Sequence, residues 1–276
     1  MTNLPFVQLE AVSYRYPDGT VGLSDCSLSI ERGSRTTLMG GNGAGKTTLF
    51  MHLNGIFFPK SGRILLNGEP CDYRLSGLMK LRSRVGLVFQ NPDSQLFSAT
   101  VREDVSFGPM NLGLTREEVE RRVELALEAT GITSIADRPV YSLSFGQKKR
   151  ACIAGVLAME PELLVLDEVM SGLDRKMRTE LVELLDKLHA GGMTILLSTH
   201  DIDFAYAWAD RIHLLENGAC TASWDTASLP DVTEQLETSG VGVPDAIRLQ
   251  RLLANRGVIQ PFPALRSVGG IIDRVA

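Results

Sequence analysis

Gly40-Gly41-Asn42-Gly43-Ala44-Gly45-Lys46-Thr47 matches the phosphate-binding pattern G-x-x-x-x-G-K-[ST] in full. The run Arg35 to Met39 before it reads as a strand, and Thr48 to Leu53 after it reads as a helix. That is the strand–loop–helix setting the pattern requires. Glycines let successive backbone N–H groups close around phosphate oxygens, because no Cβ stands in the way. The start of the helix adds a partial positive charge. Gly40, Gly41, Asn42, Gly43, Ala44 and Gly45 are therefore expected to cradle phosphates, with Thr48 at the loop's far end. Lys46 is expected to reach the β- and γ-phosphates, and Thr47 to offer its hydroxyl to Mg²⁺. The alternative, a glycine-rich turn that binds nothing, does not account for the lysine, the threonine and the setting together.

The 276 residues suffice for one large domain with a smaller appendage, and 44% apolar residues for a sizeable core. A net charge of −5, from 28 basic and 33 acidic residues, argues against a dominant nucleic-acid surface. Uncharged apolar runs such as Ala151 to Met159 fall far short of the roughly 18 residues of a membrane span. The start, Met1-Thr2-Asn3-Leu4-Pro5, lacks a basic signal-peptide region, so a cytosolic protein is expected unless a partner tethers it. Cys26, Cys71, Cys152 and Cys220 are scattered and form no zinc-type or disulfide pattern.

Residues 6–30 read as β-rich, with Cys26, Leu28 and Ile30 alternating with polar residues and Pro17-Asp18-Gly19 marking a turn. Tyr14 and Tyr16 precede that turn. Tyr16 is the candidate for stacking on an adenine ring, and packing of a strand tyrosine on its neighbours is the alternative. Gly62 to Gly68 and Val85 to Phe89 read as strands, with Gln90 at the end of the second, where it can reach a metal or a water. From about Asn91 to Glu160 the pattern turns helical. Thr115-Arg116-Glu117-Glu118 fits a capping box, and Val119, Val123, Ala126, Leu127 and Thr130 share a face that Gly131 ends.

Leu163-Leu164-Val165-Leu166-Asp167-Glu168 is an apolar run closed by two acids, as a buried parallel strand requires when its tip meets Mg²⁺. Asp167 is expected to hold the metal through water, and Glu168 to take a proton from the attacking water. Asp174 is placed to cap a helix whose face is Met177, Leu181, Leu184, Leu185 and Leu188, ended by Gly191-Gly192. Thr194 to Ser198 is a further strand, and His200 at its tip is the candidate sensor of the γ-phosphate. After Trp224 the chain carries no evident chemistry. Asp231 with Glu234 reads as a cap for one short helix, and Pro244 as the start of another bearing Ala246, Leu249, Leu252 and Leu253. Docking on the core and contact with a second copy are both open for this tail.

These residues resemble an ATP-binding cassette (ABC) ATPase. Leu143-Ser144-Phe145-Gly146-Gln147 is similar to the family's LSGGQ signature, Ser171-Gly172-Leu173-Asp174 to its D-loop, Gln90 to its Q-loop glutamine and His200 to its switch histidine. Phe89 to Phe97 and Phe107 to Leu114 resemble the energy-coupling factor (ECF) transporter ATPases, and Gln147 to Gly155 with His200 to Asp203 resemble the cobalt-type members. The resemblance implies an α/β fold: a P-loop NTPase (RecA-like) core, an antiparallel β subdomain, a helical subdomain inserted at about 91–160, and, after a cassette spanning 1–224, a small C-terminal extension at 225–276 that is similar to the dimer-forming extension of the cobalt-type members.

It also implies an ATP- and Mg²⁺-dependent hydrolase at the cytoplasmic face of the cell membrane. Two cassettes, identical or related, would face head to tail on integral membrane subunits, with no nucleic-acid partner. Each ATP would lie between the phosphate loop of one subunit and Ser144, Gly146, Gln147 and Asp174 of the other. Lys46, Glu168, His200 and Gln90 would act in hydrolysis, and Thr47, Gln90 and Asp167 at the metal. Cobalt is the cargo implied, with nickel or a vitamin as the alternative. Phe145 and Val169 depart from the family pattern, which has a glycine and a proline at those places. A soluble ABC protein acting on DNA or ribosomes would usually show a second cassette, a long coiled-coil insertion or a basic stripe. A GTP switch would need an N-K-x-D stretch that is absent.

Overall fold

The computed structural model describes residues 4–258 and 265–275; the stretch Met1 to Asn3, part of the signal-peptide reading, lies outside them. Strands β1 (Val7–Arg15) and β2 (Val21–Ile30) are joined through Pro17-Asp18-Gly19. There Asp18 Oδ1 accepts the Thr20 N–H, and Gly19 takes φ +88°. Next come β3 (Arg35–Met39), α1 (Lys46–Leu53), β4 (Ser61–Leu66), the short β5 (Glu69–Pro70), α2 (Leu75–Arg84) and β6 (Val85–Val88). The helical insertion holds α3 (Val101–Asn111), α4 (Arg116–Ala129) and α5 (Phe145–Leu157). The chain then alternates through β7 (Leu163–Leu166), α6 (Arg175–Ala190), β8 (Thr194–Ser198), α7 (Ile202–Trp208), β9 (Arg211–Glu216) and β10 (Ala219–Asp225), and ends in α8 (Thr233–Thr238), α9 (Asp245–Asn255) and α10 (Val268–Val275).

Two sheets result. The antiparallel one runs β2-β1-β4-β5. The larger runs β10-β9-β3-β8-β7-β6, parallel except for β10. β7 and β8 are buried along their whole length, as strands covered on both faces must be. Their side chains alternate between two cores. Leu163, Val165 and Leu196 join Leu9, Ile30, Leu49 and Phe50 toward the antiparallel sheet, while Leu164, Leu166, Ile195 and Leu197 join Val105, Leu127, Ile153 and Leu185 on the helical side. β8 lies between β3 and β7. The C-terminal ends of these three strands therefore bring the glycine loop, Asp167-Glu168 and Ser198 to one edge, the place where open parallel sheets bind ligands.

Several local expectations hold and some do not. Val119, Val123, Ala126, Leu127 and Thr130 are buried together, and Asp174 caps α6 by accepting the Met177 N–H at 2.8 Å. Thr115 caps α4, but the box is incomplete: Glu118 turns to Arg121 and Arg122 at 2.7 and 2.6 Å instead of back to the cap. Two guanidinium groups hold a carboxylate better than one backbone N–H does. Complete boxes stand at Thr100/Glu103 and Ser144/Gln147.

Asp231 and Glu234 do not cap α8. Asp231 belongs to a 3₁₀ turn, Thr226–Asp231, and Val232 occupies the cap position without a side-chain bond. The tail docks on its own cassette: Leu229, Leu236, Val243, Ala246, Ile247 and Ile271 share a core with Met39, Tyr206 and Ile212. Asp203 Oδ1 accepts the Asp245 N–H at 2.7 Å, which ties α9 to α7. Leu252, expected on the buried face of α9, is 49% exposed.

Candidate nucleotide site

A cavity of about 460 Å³ opens at this edge, walled by Tyr16, Thr20 to Gly22, Asn42 to Thr48, Gln90 and Glu168. The loop's shape depends on its glycines. Gly40, Gly43 and Gly45 take φ of +150, +79 and +106°, and a Cβ on Gly45 would lie 2.4 Å from the Gly22 carbonyl oxygen. On Gly41 or Gly43 a Cβ would meet nothing within 4 Å, so that side of the loop is an open cradle. Lys46 is buried, and its Nζ donates to the Gly40 and Gly41 carbonyls at 2.7 and 3.1 Å and lies 3.3 Å from Glu168 Oε1.

The acids are held by their neighbours. Thr47 Oγ1 donates to Asp167 Oδ2 at 2.6 Å. Ser198 Oγ donates to Asp167 Oδ1 at 2.8 Å and accepts the Glu168 N–H at 2.8 Å. Gln90 Nε2 donates to Glu168 Oε2 at 3.0 Å. Glu168 itself stands at φ +43°, the left-handed region that a glutamate enters only when its surroundings dictate it. The donor set of hydroxyl, carboxylate and amide oxygen is the hard-oxygen chemistry Mg²⁺ selects, and the cradle of N–H groups beside a buried lysine suits a triphosphate. Thr47, Asp167 and Gln90 are the groups that would hold such a cation.

The two tyrosines share one aromatic cluster. Tyr14 is stacked on Phe57 at 4.9 Å and edge-on to His52 at 4.8 Å. Tyr16 is edge-on to Tyr14 at 5.2 Å and to Phe57 at 5.7 Å, so it packs on its neighbours, and it also lines the cavity and shares a hydrogen bond with Thr48 Oγ1 at 2.8 Å. The remaining expected site residues lie outside this cavity. Ser144 is exposed at the start of α5, where its Oγ accepts the Gln147 N–H while Gln147 Oε1 accepts its own N–H. Gly146 packs against α6, where a Cβ would sit 2.3 Å from Met177 Sδ. Asp174 is engaged as a cap, and His200 is exposed just past β8. Phe145 lies over Gly172, where a Cβ would meet its ring at 3.0 Å. Ser198, in sequence only the end of a strand, bridges both acids, and the one local sign of this is a hydroxyl closing the apolar run Ile195 to Leu197.

Residues 23–171 match the family model described as ABC transporter. The chain is 43% identical over 251 residues to the energy-coupling factor transporter ATP-binding protein EcfA of Methanothermobacter thermautotrophicus, covering 91% of this chain and 81% of that one. It is 48% identical over 213 residues to EcfA3 of Clostridium perfringens, covering 77% and 75%. Among solved structures it resembles cbiO1 of Clostridium perfringens, described as part of the ABC transporter complex cbiONQ, with a TM-score of 0.75, 42% identity and coverage of 90% and 99%. It also resembles the cassette MJ0796, solved as a dimer in a post-hydrolysis state with ADP and Pi, with a TM-score of 0.72, 27% identity and coverage of 80% and 98%.

Proposed function

The chain belongs to the ABC transporter family as an ATP-hydrolysing subunit of the energy-coupling factor type, and from that premise we propose that it powers cobalt import from the cytoplasmic face of the membrane. The observation that carries the motor reading is the cluster at the sheet edge. Lys46, Thr47, Asp167, Ser198, Glu168 and Gln90 stand in one bonded group at the mouth of an open glycine cradle. ATP would lay its phosphates on the loop N–H groups, with Lys46 on the β- and γ-phosphates and Tyr16 beside the base. Mg²⁺, when bound, supplies charge neutralisation at the phosphoryl oxygens. Glu168 orients water and takes its proton.

Ser144, Gly146, Gln147 and Asp174 serve the site of a second cassette, identical or related, and His200 contacts the γ-phosphate. That they lie outside the cavity of their own chain supports this division, as does the dimer known for MJ0796. The membrane subunits dock in a groove of about 500 Å³ lined by Phe89, Gln95, Phe97, Phe107, Cys152 and Met159. Phe97 and Phe107 are 66% and 49% exposed there, and such apolar exposure marks a contact surface. Among the described residues no helix is long and apolar enough to cross a membrane, which fits attachment through partners. The C-terminal helices add a contact between cassettes.

Cobalt rests on the resemblance of Gln147 to Gly155 and His200 to Asp203 to the cobalt-type members. Glu168→Gln tests the motor: ATP binding persists and turnover falls about 10²–10⁴-fold. Unchanged hydrolysis would show that another group is the base. Uptake of labelled cobalt, nickel and vitamins by the complex with its membrane subunits tests the cargo, and cobalt uptake no greater than the others refutes it.

A further inference from the structure

Lys149 lies one turn into α5, in the helix that carries the signature, and only 2% of its surface is exposed. A buried ammonium is costly unless its protons are satisfied. Its Nζ donates to the Val169 carbonyl at 2.6 Å and to the Ser171 carbonyl at 2.7 Å, and the Phe145 ring lies 4.9 Å away as an aromatic cover. Both carbonyls belong to the segment that leaves Glu168. Burial lowers the Lys149 pKa to about 8.

That segment is unusual. Glu168 is left-handed at φ +43°, and Gly172 follows at +74°. The Glu168 N–H is held by Ser198, and its carbonyl accepts the Ser171 N–H at 2.9 Å. Such a backbone persists only where neighbours over-determine it. The contacts of Lys149 come from a different element, the helical insertion, whereas Ser198 belongs to the sheet.

We propose that Lys149 is a positioning residue for ATP hydrolysis: its ammonium clamps the Val169 and Ser171 carbonyls to α5 and so fixes the backbone from which the Glu168 carboxylate is aimed. The inference rests on reading Glu168 as the base. It also makes α5, with Ser144 at its tip, and the chain's own carboxylate move as one body. Phe145, which stands where a glycine is usual, then has a use, because its ring shields the clamp from water.

Lys149→Met keeps the stem and removes the donors. In the full chain, KM for ATP and nucleotide affinity stay within about twofold, while kcat falls about 10- to 100-fold, the scale of an ångström misplacement of a reacting group. Lys149→Arg, which keeps the charge and several donors, restores most of kcat. In a Glu168→Gln background Lys149→Met lowers the residual rate by no more than about twofold, because there is no longer a base to aim.

An unaltered kcat, or equal losses in both backgrounds, overturns the inference and leaves the Glu168 reading standing. Normal hydrolysis by Glu168→Gln alone overturns both. Should Lys149→Met melt below the assay temperature, Lys149→Gln is read by the same criteria. Failure of both to fold makes Lys149 a structural anchor and also overturns the proposal.

Discussion

Ser198→Ala removes one oxygen atom, and two bonds go with it. The hydroxyl is 1% exposed as part of Ser198, donates to Asp167 Oδ1 and accepts the Glu168 N–H. No replacement is at hand, because Asp167 is itself only 4% exposed and its other oxygen is already bonded to Thr47. A buried backbone N–H left without a partner costs roughly 1–3 kcal/mol, and the loss of a donor to a charged group roughly 1.5–3 kcal/mol. The methyl leaves almost no cavity, so those two losses dominate, and together they come to about 2.5–6 kcal/mol. For a chain of this size each kcal/mol moves the melting point by about 2 °C, giving a fall of about 5–12 °C. Calorimetry on the nucleotide-free chain measures it. The same bonds aim both acids, so kcat falls about tenfold while Mg²⁺-free nucleotide affinity is unchanged. A melting point within 2 °C of the parent, with kcat intact, would refute the idea that this hydroxyl organises the acids.

Gly45→Ala sets a Cβ 2.4 Å from the Gly22 carbonyl at a φ of +106°. It is expected to cost about 2 kcal/mol or more and to weaken equilibrium binding of a fluorescent nucleotide at least tenfold. His213 is buried between Ser223 Oγ and the Ser29 carbonyl, and burial pushes its pKa down from 6.5 to about 4. The unfolded chain therefore takes up this proton first as pH falls. Stability that is fully present above about pH 6.5 is lost by roughly 3 kcal/mol on the way down to about pH 4, and denaturant titrations of His213→Asn should show a flatter slope in that window. Phe107→Glu, in the Phe97–Phe107 edge-to-face pair at 4.7 Å, should abolish co-purification with the membrane subunits while ATPase activity of the isolated cassette stays within twofold.

What could be read from the chain beforehand follows from where the information is local. The phosphate loop, the acid-tipped strand and the amphipathic faces of α4 and α6 declare themselves within a dozen residues, because loop chemistry and helical period are local properties. Helix α2 and strands β9 and β10 were not read. α2 buries only Leu81 and so has little apolar stripe to show. The Thr115 box forms only its Thr115 half because Arg121 and Arg122 compete for Glu118, and no cap pattern encodes that competition. The partners of Ser198 and Lys149 are not legible in the sequence for a different reason. Each acts across strands or between subdomains, at separations of about 20–31 residues, and a short polar residue or a second lysine in a Lys-Lys-Arg run carries no mark of its partner.

The contacts of Glu168 bear on how hydrolysis waits for substrate. Its Oε1 faces Lys46 at 3.3 Å, and its Oε2 accepts from Gln90 at 3.0 Å. Each oxygen of the carboxylate thus has one acceptor position taken by a neighbour and keeps another. In the proposed site both partners would have other contacts: Lys46 with the phosphates, and Gln90 with the cation. A seated triphosphate draws Lys46 toward its stronger negative charge, since the attraction grows with the charge it meets. Oε1 is then the first acceptor released. The backbone beneath it, fixed by Ser198 and by the carbonyl contacts of Val169 and Ser171, need not move. On the proposed reading, the lysine that would meet the phosphates also holds Oε1, so phosphate binding would loosen one contact of the proposed base.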